Sequence, residues 1–126
     1  VELEKIRFKD NLKISFHYTG IDEIHEIPPM LLIPFVENAF KHGNLIDGKL
    51  QIIVNIEIKD NCLDLLVKNT AIRDDSNGIK KGIGLDNIEK RLRLHYQEQF
   101  DLKTEYQNNW FLAHLIIFNL KTNTNA

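Results

Sequence analysis

The sequence has few of the residues that mark secreted or membrane-spanning proteins. It contains one cysteine among 126 residues, so a disulfide within the chain is excluded and a reducing compartment is expected. We predict that this cysteine, Cys62, lies in a strand as a small hydrophobic side chain. No apolar run approaches the roughly 20 residues that a membrane-spanning helix requires.

An excess of charge of one sign is also missing. Sixteen Lys and Arg residues face 18 Asp and Glu residues, which gives a formal net charge of −2 at pH 7. A chain this close to neutrality has no global field that draws it to nucleic acid, so we expect no nucleic-acid partner. Hydrophobic residues make up 43% of the chain, which is ordinary for a soluble globular domain.

The length predicts a single domain over residues 1–126. The chain starts at Val1 rather than at a methionine, which suggests a piece of a longer protein. Residues 121–126 are polar, and we expect them to form a disordered tail.

Alternation of apolar and polar residues predicts five strands, at 11–18, 51–59, 62–68, 100–106 and 110–120. Asp60-Asn61 and Asn108-Asn109 predict tight turns, so the last four strands form two hairpins. Residues 70–82 lack any period and predict a long loop. Strands and helices with antiparallel hairpins indicate an α+β fold, a two-layer sandwich with helices on one face of the sheet.

Two segments predict helices. The first, PPMLLIPFVENAFKHG at residues 28–43, starts with a proline pair that suits a helix N-terminus and ends at Gly43, where a left-handed cap is expected. The second runs from about Leu85 to Tyr96, with one apolar stripe formed by Leu85, Ile88 and Leu92.

The first helix has a polar face that can serve a nucleotide site. Helical spacing puts Glu37, Asn38 and Lys41 opposite an apolar half, with His42 at the border; the apolar half holds Leu31, Leu32, Phe35, Val36, Ala39 and Phe40. The amide oxygen of Asn38 is a hard ligand that suits magnesium. Lys41 and His42 can reach phosphates, and Glu37 can accept a proton. The alternative is a solvated face of an ordinary amphipathic helix.

A glycine turn precedes the second helix, in the segment KKGIGLDNIEKRL at residues 80–92. Gly82 and Gly84 let the backbone approach a ligand closely, and a helix N-terminus presents free N–H groups to an anion. The segment completes neither the dinucleotide fingerprint nor the phosphate loop of nucleoside triphosphatases. Arg73, Lys80 and Lys81 can close over a triphosphate as a lid, or they belong to a charged surface loop.

These two segments resemble motifs of one family. PPMLLIPFVENAFKHG resembles the N-box of LytS-type sensor histidine kinases, and KGIGLDNIEKRLRLHY resembles their G2-box and the helix after it. The opening ELEKIRF is similar to the stretch that follows their dimerisation helix. The similarity covers nearly the whole chain, and it implies the GHKL ATPase (Bergerat) fold, a mixed, mostly antiparallel sheet with helices on one face, as in gyrase and MutL.

The resemblance implies a role for each motif residue. Asn38 binds magnesium, Lys41 and His42 contact phosphates, and Glu37 assists removal of a proton from the acceptor histidine. The backbone of Gly82, Ile83, Gly84 and Leu85 lines the phosphate side of the pocket. Hydrolytic relatives carry a glutamate one turn before the magnesium asparagine, where this chain has Pro34, so transfer to a histidine is expected rather than hydrolysis.

The chain departs from the family at the adenine side. The family's G1-box has an aspartate that receives the adenine amino group, followed by two glycines. The corresponding stretch here is Asn69-Thr70-Ala71-Ile72-Arg73, so Asn69 accepts through a neutral amide oxygen. Because charge-assisted hydrogen bonds are about twice as strong as neutral ones, weak ATP binding is expected.

The prediction is therefore the ATP- and magnesium-dependent catalytic domain of a two-component sensor histidine kinase. Its partner is a histidine-bearing dimerisation domain of the same protein, with a response regulator downstream. The resemblance implies a homodimeric full-length protein and a cytoplasmic domain of a membrane-anchored bacterial sensor. The alternative is a degenerate domain of the same fold that serves regulation or docking with little or no nucleotide binding. A serine kinase of the anti-sigma type is a third possibility, which the LytS-like N-box disfavours.

Overall fold

The computed structural model describes residues 2–9, 11–20, 29–73 and 83–120. In this part of the chain, six strands and two helices follow one another. Their order is β1 (Glu2–Lys9), β2 (Leu12–Thr19), α1 (Pro29–His42), β3 (Leu50–Lys59), β4 (Cys62–Thr70), α2 (Ile83–Tyr96), β5 (Phe100–Gln107) and β6 (Trp110–Ile117).

All six strands form one sheet, in the order β1-β2-β3-β4-β6-β5. Only β2 and β3 pair in parallel, and the other neighbouring pairs are antiparallel. The connection between the parallel strands carries α1, as parallel neighbours require a crossover. The predicted α+β fold with a mixed, mostly antiparallel sheet is therefore confirmed.

The strand β1 was missed by the sequence analysis. It pairs with β2 along its whole length, from Glu2 opposite Thr19 to Lys9 opposite Leu12. The apolar residues Leu3, Ile6 and Phe8 do not keep to one parity in the sequence. Alternation therefore gives no strand signal, and only the neighbouring strand reveals this one.

Both helices cover the same face of the sheet. In β3 the even-numbered residues from Ile52 onward are buried, and in β4 and β6 the odd-numbered ones are, because side chains of a strand alternate between faces. These residues form one core with the helix side chains Leu31, Phe35, Ala39, Leu85, Ile88, Leu92 and Tyr96. The two-layer arrangement and the Leu85–Ile88–Leu92 stripe are confirmed.

Two asparagine-containing turns close the hairpins as predicted. Asp60 and Asn61 have φ angles of 53° and 65°, and Asn108 and Asn109 have φ angles of 49° and 67°. Two consecutive left-handed residues are typical of the turn whose twist matches that of antiparallel strands, and Asn and Asp tolerate this conformation.

The left-handed cap predicted at Gly43 is wrong. Among the described glycines, the left-handed ones are Gly20 and Gly48. The N–H of Gly43 instead donates to the carbonyl of Ala39 at 3.0 Å, which continues the helical pattern. A Cβ atom at residue 43 would lie 2.5 Å from Leu50 Cδ1 and 2.7 Å from the Ala39 carbonyl oxygen. Glycine is needed here for close packing rather than for its freedom of φ.

Other predicted features differ in extent. The strand predicted at 110–120 ends at Ile117, and Leu120 beyond it is buried with its N–H donating to the Asn61 carbonyl at 2.8 Å. Cys62 is the first residue of β4 and is partly exposed. The tail at 121–126 and residues 74–82 of the predicted loop lie outside the described residues. No helix within the described ranges is long and apolar enough to cross a bilayer.

We predict that Tyr96→Phe changes the pH dependence of stability. Burial raises the pKa of the Tyr96 phenol above its ordinary value of 10.0. Above that pH the unfolded chain loses this proton first, so the free energy of unfolding falls as the pH rises toward the folded-state pKa. The variant lacks this loss. Thermal unfolding of both proteins between about pH 7 and 11 checks this prediction. The melting temperature of the variant should rise relative to that of the parent only above about pH 10. A difference that stays constant with pH would contradict a raised pKa of Tyr96.

Candidate functional site

The candidate site is built on α1, which starts at Pro29 as the proline pair predicts. A proline at the first helical position lacks an N–H that would have no helical partner anyway. Pro34 lies in the second turn rather than the first. Its missing N–H leaves the carbonyl of residue 30 without the usual helical hydrogen bond.

The buried side of α1 is rotated from the predicted one. Leu31, Phe35 and Ala39 are buried, and so is Asn38, at 9% exposure, whereas Phe40 is 44% exposed. The prediction that Phe40 belongs to the apolar face and Asn38 to the opposite one is therefore wrong. Asn38 follows Leu31 by seven residues, about two helical turns, so both lie on nearly the same side of α1, and α2 packs beside α1 there.

A cavity of about 230 Å³ lies between the two helices. Residues from both helices line it, at spacings of three or four that place them on one face of each helix. They are Pro34, Glu37, Asn38 and Lys41 of α1, and Asn87, Ile88 and Arg91 of α2. Glu37, Asn38 and Lys41 of α1 thus face α2 across the cavity. Gly84, which was predicted to lie in a turn before this helix, is its second residue.

The described residues give this cavity one carboxylate, Glu37, and two cations, Lys41 and Arg91. Within the described ranges, none of the three side chains takes part in a hydrogen bond or an ion pair. All three are exposed. The cavity therefore offers an amide oxygen and two cations to a ligand that carries negative charge.

The predicted site residues fall into two groups. Glu37, Asn38 and Lys41 meet at the cavity, whereas His42 is exposed at the last position of α1 and does not line it. The other predicted residues are placed as follows: Leu85 is buried in the core, Ile83 and Gly84 are the first two residues of α2, Gly82 lies outside the described residues, and Asn69 is 2% exposed near the end of β4.

Asn69 lies against the C-terminal end of α1. A Cβ atom at residue 43 would lie 3.4 Å from the Asn69 amide nitrogen. That nitrogen, Nδ2, donates to the carbonyl of Thr70 at 3.1 Å. Since a carbonyl can only accept, the contact fixes the orientation of the amide and leaves Oδ1 as the acceptor on the other side.

A hydrogen-bond network that sequence reasoning missed joins the ends of α1 and β4. The Asn44 N–H donates to the Thr70 carbonyl at 2.8 Å, and the Thr70 hydroxyl donates to the Asn44 carbonyl at 2.8 Å. The same hydroxyl accepts from the Gln51 N–H at 3.1 Å, and Asn44 Oδ1 accepts from the Ile72 N–H at 2.8 Å. We call these contacts the Asn44–Thr70 network. The two residues are 26 positions apart, so no local pattern signals the contact.

The residues of the predicted lid are only partly described. Arg73 is exposed, and its guanidinium carbon lies 5.8 Å from the centre of the Tyr106 ring. Lys80 and Lys81 lie outside the described residues. The lid therefore stays a prediction.

The chain is similar to a known family and to several characterised proteins. A family model described as the GHKL domain matches residues 33–118. The chain is 27% identical over 105 residues to the sensor histidine kinase BtsS of Escherichia coli, covering 81% of this chain and 18% of BtsS. It is 31% identical over 109 residues to the sensor protein LytS of Oceanobacillus iheyensis, covering 73% of this chain and 18% of LytS.

Solved structures share the fold. The catalytic domain of histidine kinase ThkA aligns with a TM-score of 0.61 at 19% identity, covering 85% of this chain and 79% of that one. The histidine kinase domain of a blue-light activated kinase from Erythrobacter litoralis aligns with a TM-score of 0.63 at 14% identity, covering 92% and 59%. The curated relatives are much longer, and this chain spans about a fifth of their length.

We predict that Thr70→Val destabilises the chain. The substitution keeps the shape of the side chain but removes the hydroxyl, so the Gln51 N–H and the Asn44 carbonyl each lose a partner. We expect a loss of about 1–3 kcal/mol in the free energy of unfolding, measured by urea denaturation. Thr104→Val, at an exposed threonine of β5, is the control, and we expect it to change stability by less than about 0.5 kcal/mol. Equal effects of both variants would contradict a structural role for the network.

Proposed function

Because the chain belongs to the GHKL domain family, we propose that it is the ATP-binding catalytic domain of a two-component sensor histidine kinase. In this role it transfers the γ-phosphate of Mg-ATP to a histidine on a separate domain. The supporting observation is the cavity in which Asn38 and Lys41 of α1 meet the α2 helix. The similarity to BtsS and LytS supports the same assignment.

The residues of α1 would hold the phosphate end of the nucleotide. The Asn38 amide offers one oxygen to Mg²⁺, which prefers to keep phosphate oxygens and water as its other ligands. When bound, the ion supplies positive charge that offsets the charge of the phosphates. Lys41 lies one turn from Asn38 and would contact a phosphate oxygen, and His42 at the helix end would do so from outside the cavity.

The start of α2 would hold the phosphates from the opposite side. The helix begins at Ile83, and the first N–H groups of a helix have no partner inside it. Their orientation and the helix dipole favour an anion at this end. The backbone of Gly82, Ile83, Gly84 and Leu85 would therefore line the phosphate side.

Asn69 would mark the adenine end. Its Oδ1 would accept a hydrogen bond from the adenine amino group, since its Nδ2 is engaged by the Thr70 carbonyl. Asn69 lies beside Gly43, which directly follows α1 and is five residues beyond Asn38. This is about 7–8 Å along the helix axis, a separation that suits a base and the phosphates of one nucleotide. An amide is a weaker acceptor than a carboxylate, so we expect modest affinity.

We propose transfer to a histidine rather than hydrolysis. Pro34, one turn before Asn38, lines the cavity and has no group that can activate water. Glu37, on the same wall, would take the proton of the acceptor histidine. The chemistry then consists mainly of positioning the phosphate and neutralising its charge.

The remaining parts of such a protein would supply the acceptor. We propose a histidine-bearing dimerisation domain of the same protein as the direct partner, with a response regulator receiving the phosphate afterwards. A homodimeric, membrane-anchored protein with this domain in the cytoplasm is the arrangement that the proposal implies. The chain's small share of the length of its relatives leaves room for those parts.

We predict that Asn38→Ala removes Mg²⁺-dependent nucleotide binding while the fold persists. Calorimetric titration with a non-hydrolysable ATP analogue, with and without Mg²⁺, measures the binding, and the melting temperature checks the fold. Asn55→Ala is a matched control, because Asn55 is a partly buried asparagine on the opposite face of the sheet. It should bind like the parent.

Two results of this experiment would contradict the proposal. If Asn38→Ala binds the analogue like the parent, the metal assignment is wrong. If the parent itself gives no heat and no rise in melting temperature at millimolar analogue, the chain is instead the docking or regulatory module.

A further inference from the structure

We propose that Arg91 of α2 binds the outermost phosphate of a nucleoside triphosphate, so that this residue makes the site prefer a triphosphate over a diphosphate. The inference rests on the proposed function and adds a specificity-determining residue to the same site. It comes from the structure, because the motifs in the sequence gave Arg91 no role.

Arg91 lies on the face of α2 that lines the cavity. Asn87 and Arg91 are four residues apart, so they lie on one face of α2, and both line the cavity. Across the cavity stand Asn38 and Lys41 of α1. A ligand held by these α1 residues therefore has the guanidinium of Arg91 on its other side.

The charge of the cavity also favours a phosphate ligand. Among the described residues that line the cavity, Lys41 and Arg91 give two cations and Glu37 gives one carboxylate. Within the described residues, Arg91 has no carboxylate within ion-pairing distance. A guanidinium presents a planar fork of N–H donors that matches two oxygens of one phosphate, which makes it suited to this ligand.

The distance along α2 indicates which phosphate is involved. Arg91 is eight residues after Ile83, the first residue of the helix, which corresponds to about 12 Å along the axis. Long side chains on helices lean back toward the N-terminus. The Arg91 guanidinium therefore approaches the cavity from the C-terminal end of α2. The phosphates near the adenine would be held at the first turn of α2, and Arg91 would reach the terminal one.

Arg93 provides a matched comparison on the same helix. Its guanidinium is 2.7 Å from a Glu89 carboxylate oxygen and 3.9 Å from one of Glu98, and it lies 5.8 Å from the centre of the Phe100 ring. It does not line the cavity between α1 and α2. Arg91→Gln and Arg93→Gln remove the same charge from the same helix, and only the first removes it from the cavity.

The test is a set of calorimetric titrations of the full chain in the presence of Mg²⁺. The parent, Arg91→Gln, Arg91→Lys and Arg93→Gln are each titrated with a non-hydrolysable ATP analogue and with ADP. We expect Arg91→Gln to weaken binding of the analogue by about ten-fold, the range of a lost hydrogen bond to a charged group. Its ADP affinity should change by less than about two-fold, which is within the scatter of a surface substitution.

The other variants refine the comparison. Arg91→Lys keeps the charge but not the fork, so it should bind the analogue with intermediate affinity, and it carries the comparison if the glutamine variant unfolds. Arg93→Gln should match the parent with both nucleotides. Melting temperatures measured without ligand report the fold of each variant.

The contradicting results are distinct. If Arg91→Gln binds both nucleotides like the parent, or loses equal affinity for both, Arg91 does not select the terminal phosphate, while the proposed function stands. If the parent binds neither nucleotide, the proposed function fails and this inference fails with it.

Discussion

The side-by-side packing of α1 and α2 on one face of the sheet is the constraint on which the rest of the structure depends. Phe35, Ile88 and Leu92 are each 5% exposed or less, and burying a side chain of this kind contributes roughly 1.5–3 kcal/mol. The exposed pair of Arg93 and Glu89 contributes about 0–1 kcal/mol by comparison. Apolar burial therefore sets the positions of the helices, and the polar residues beside the apolar stripes follow.

The cavity is a consequence of that packing. Asn38 lies beside the buried stripe of α1, and Asn87 lies next to Ile88 of the α2 stripe. When the stripes meet the sheet, these amides come to face each other across the groove. Filling the groove with apolar side chains would increase the buried area, so the polar lining gives up some stability. Such local departures from ideal packing are expected at functional sites.

Hydrogen bonds hold the ends of α1 and β4 together where packing alone would leave freedom. The Asn44–Thr70 network ties the end of α1 to the end of β4, and the amide of Asn69 is oriented by the Thr70 carbonyl. An aspartate at residue 69 could not donate to that carbonyl when ionised. The asparagine in place of the family's usual acidic residue therefore fits this structure. Its amide nitrogen donates to the backbone, and its amide oxygen stays an acceptor.

The sequence by itself determined the features that depend on neighbours along the chain. The asparagine turns predicted both hairpins, the proline pair predicted the start of α1, and the spacing of Leu85, Ile88 and Leu92 predicted the buried stripe of α2. The N-box and G2-box predicted the family, which the match to the GHKL domain confirms.

Only the tertiary structure decided the features that depend on distant partners. The strand β1 needs β2 beside it, Gly43 is required by Leu50, and Asn38 lies against α2 beside the apolar residues of α1. Arg91 lines the cavity opposite Asn38 and Lys41 for the same reason. Periodicity reports which face of an element is apolar, but the direction of that face, and the residue that stands opposite it, are fixed by contacts between segments far apart in the chain.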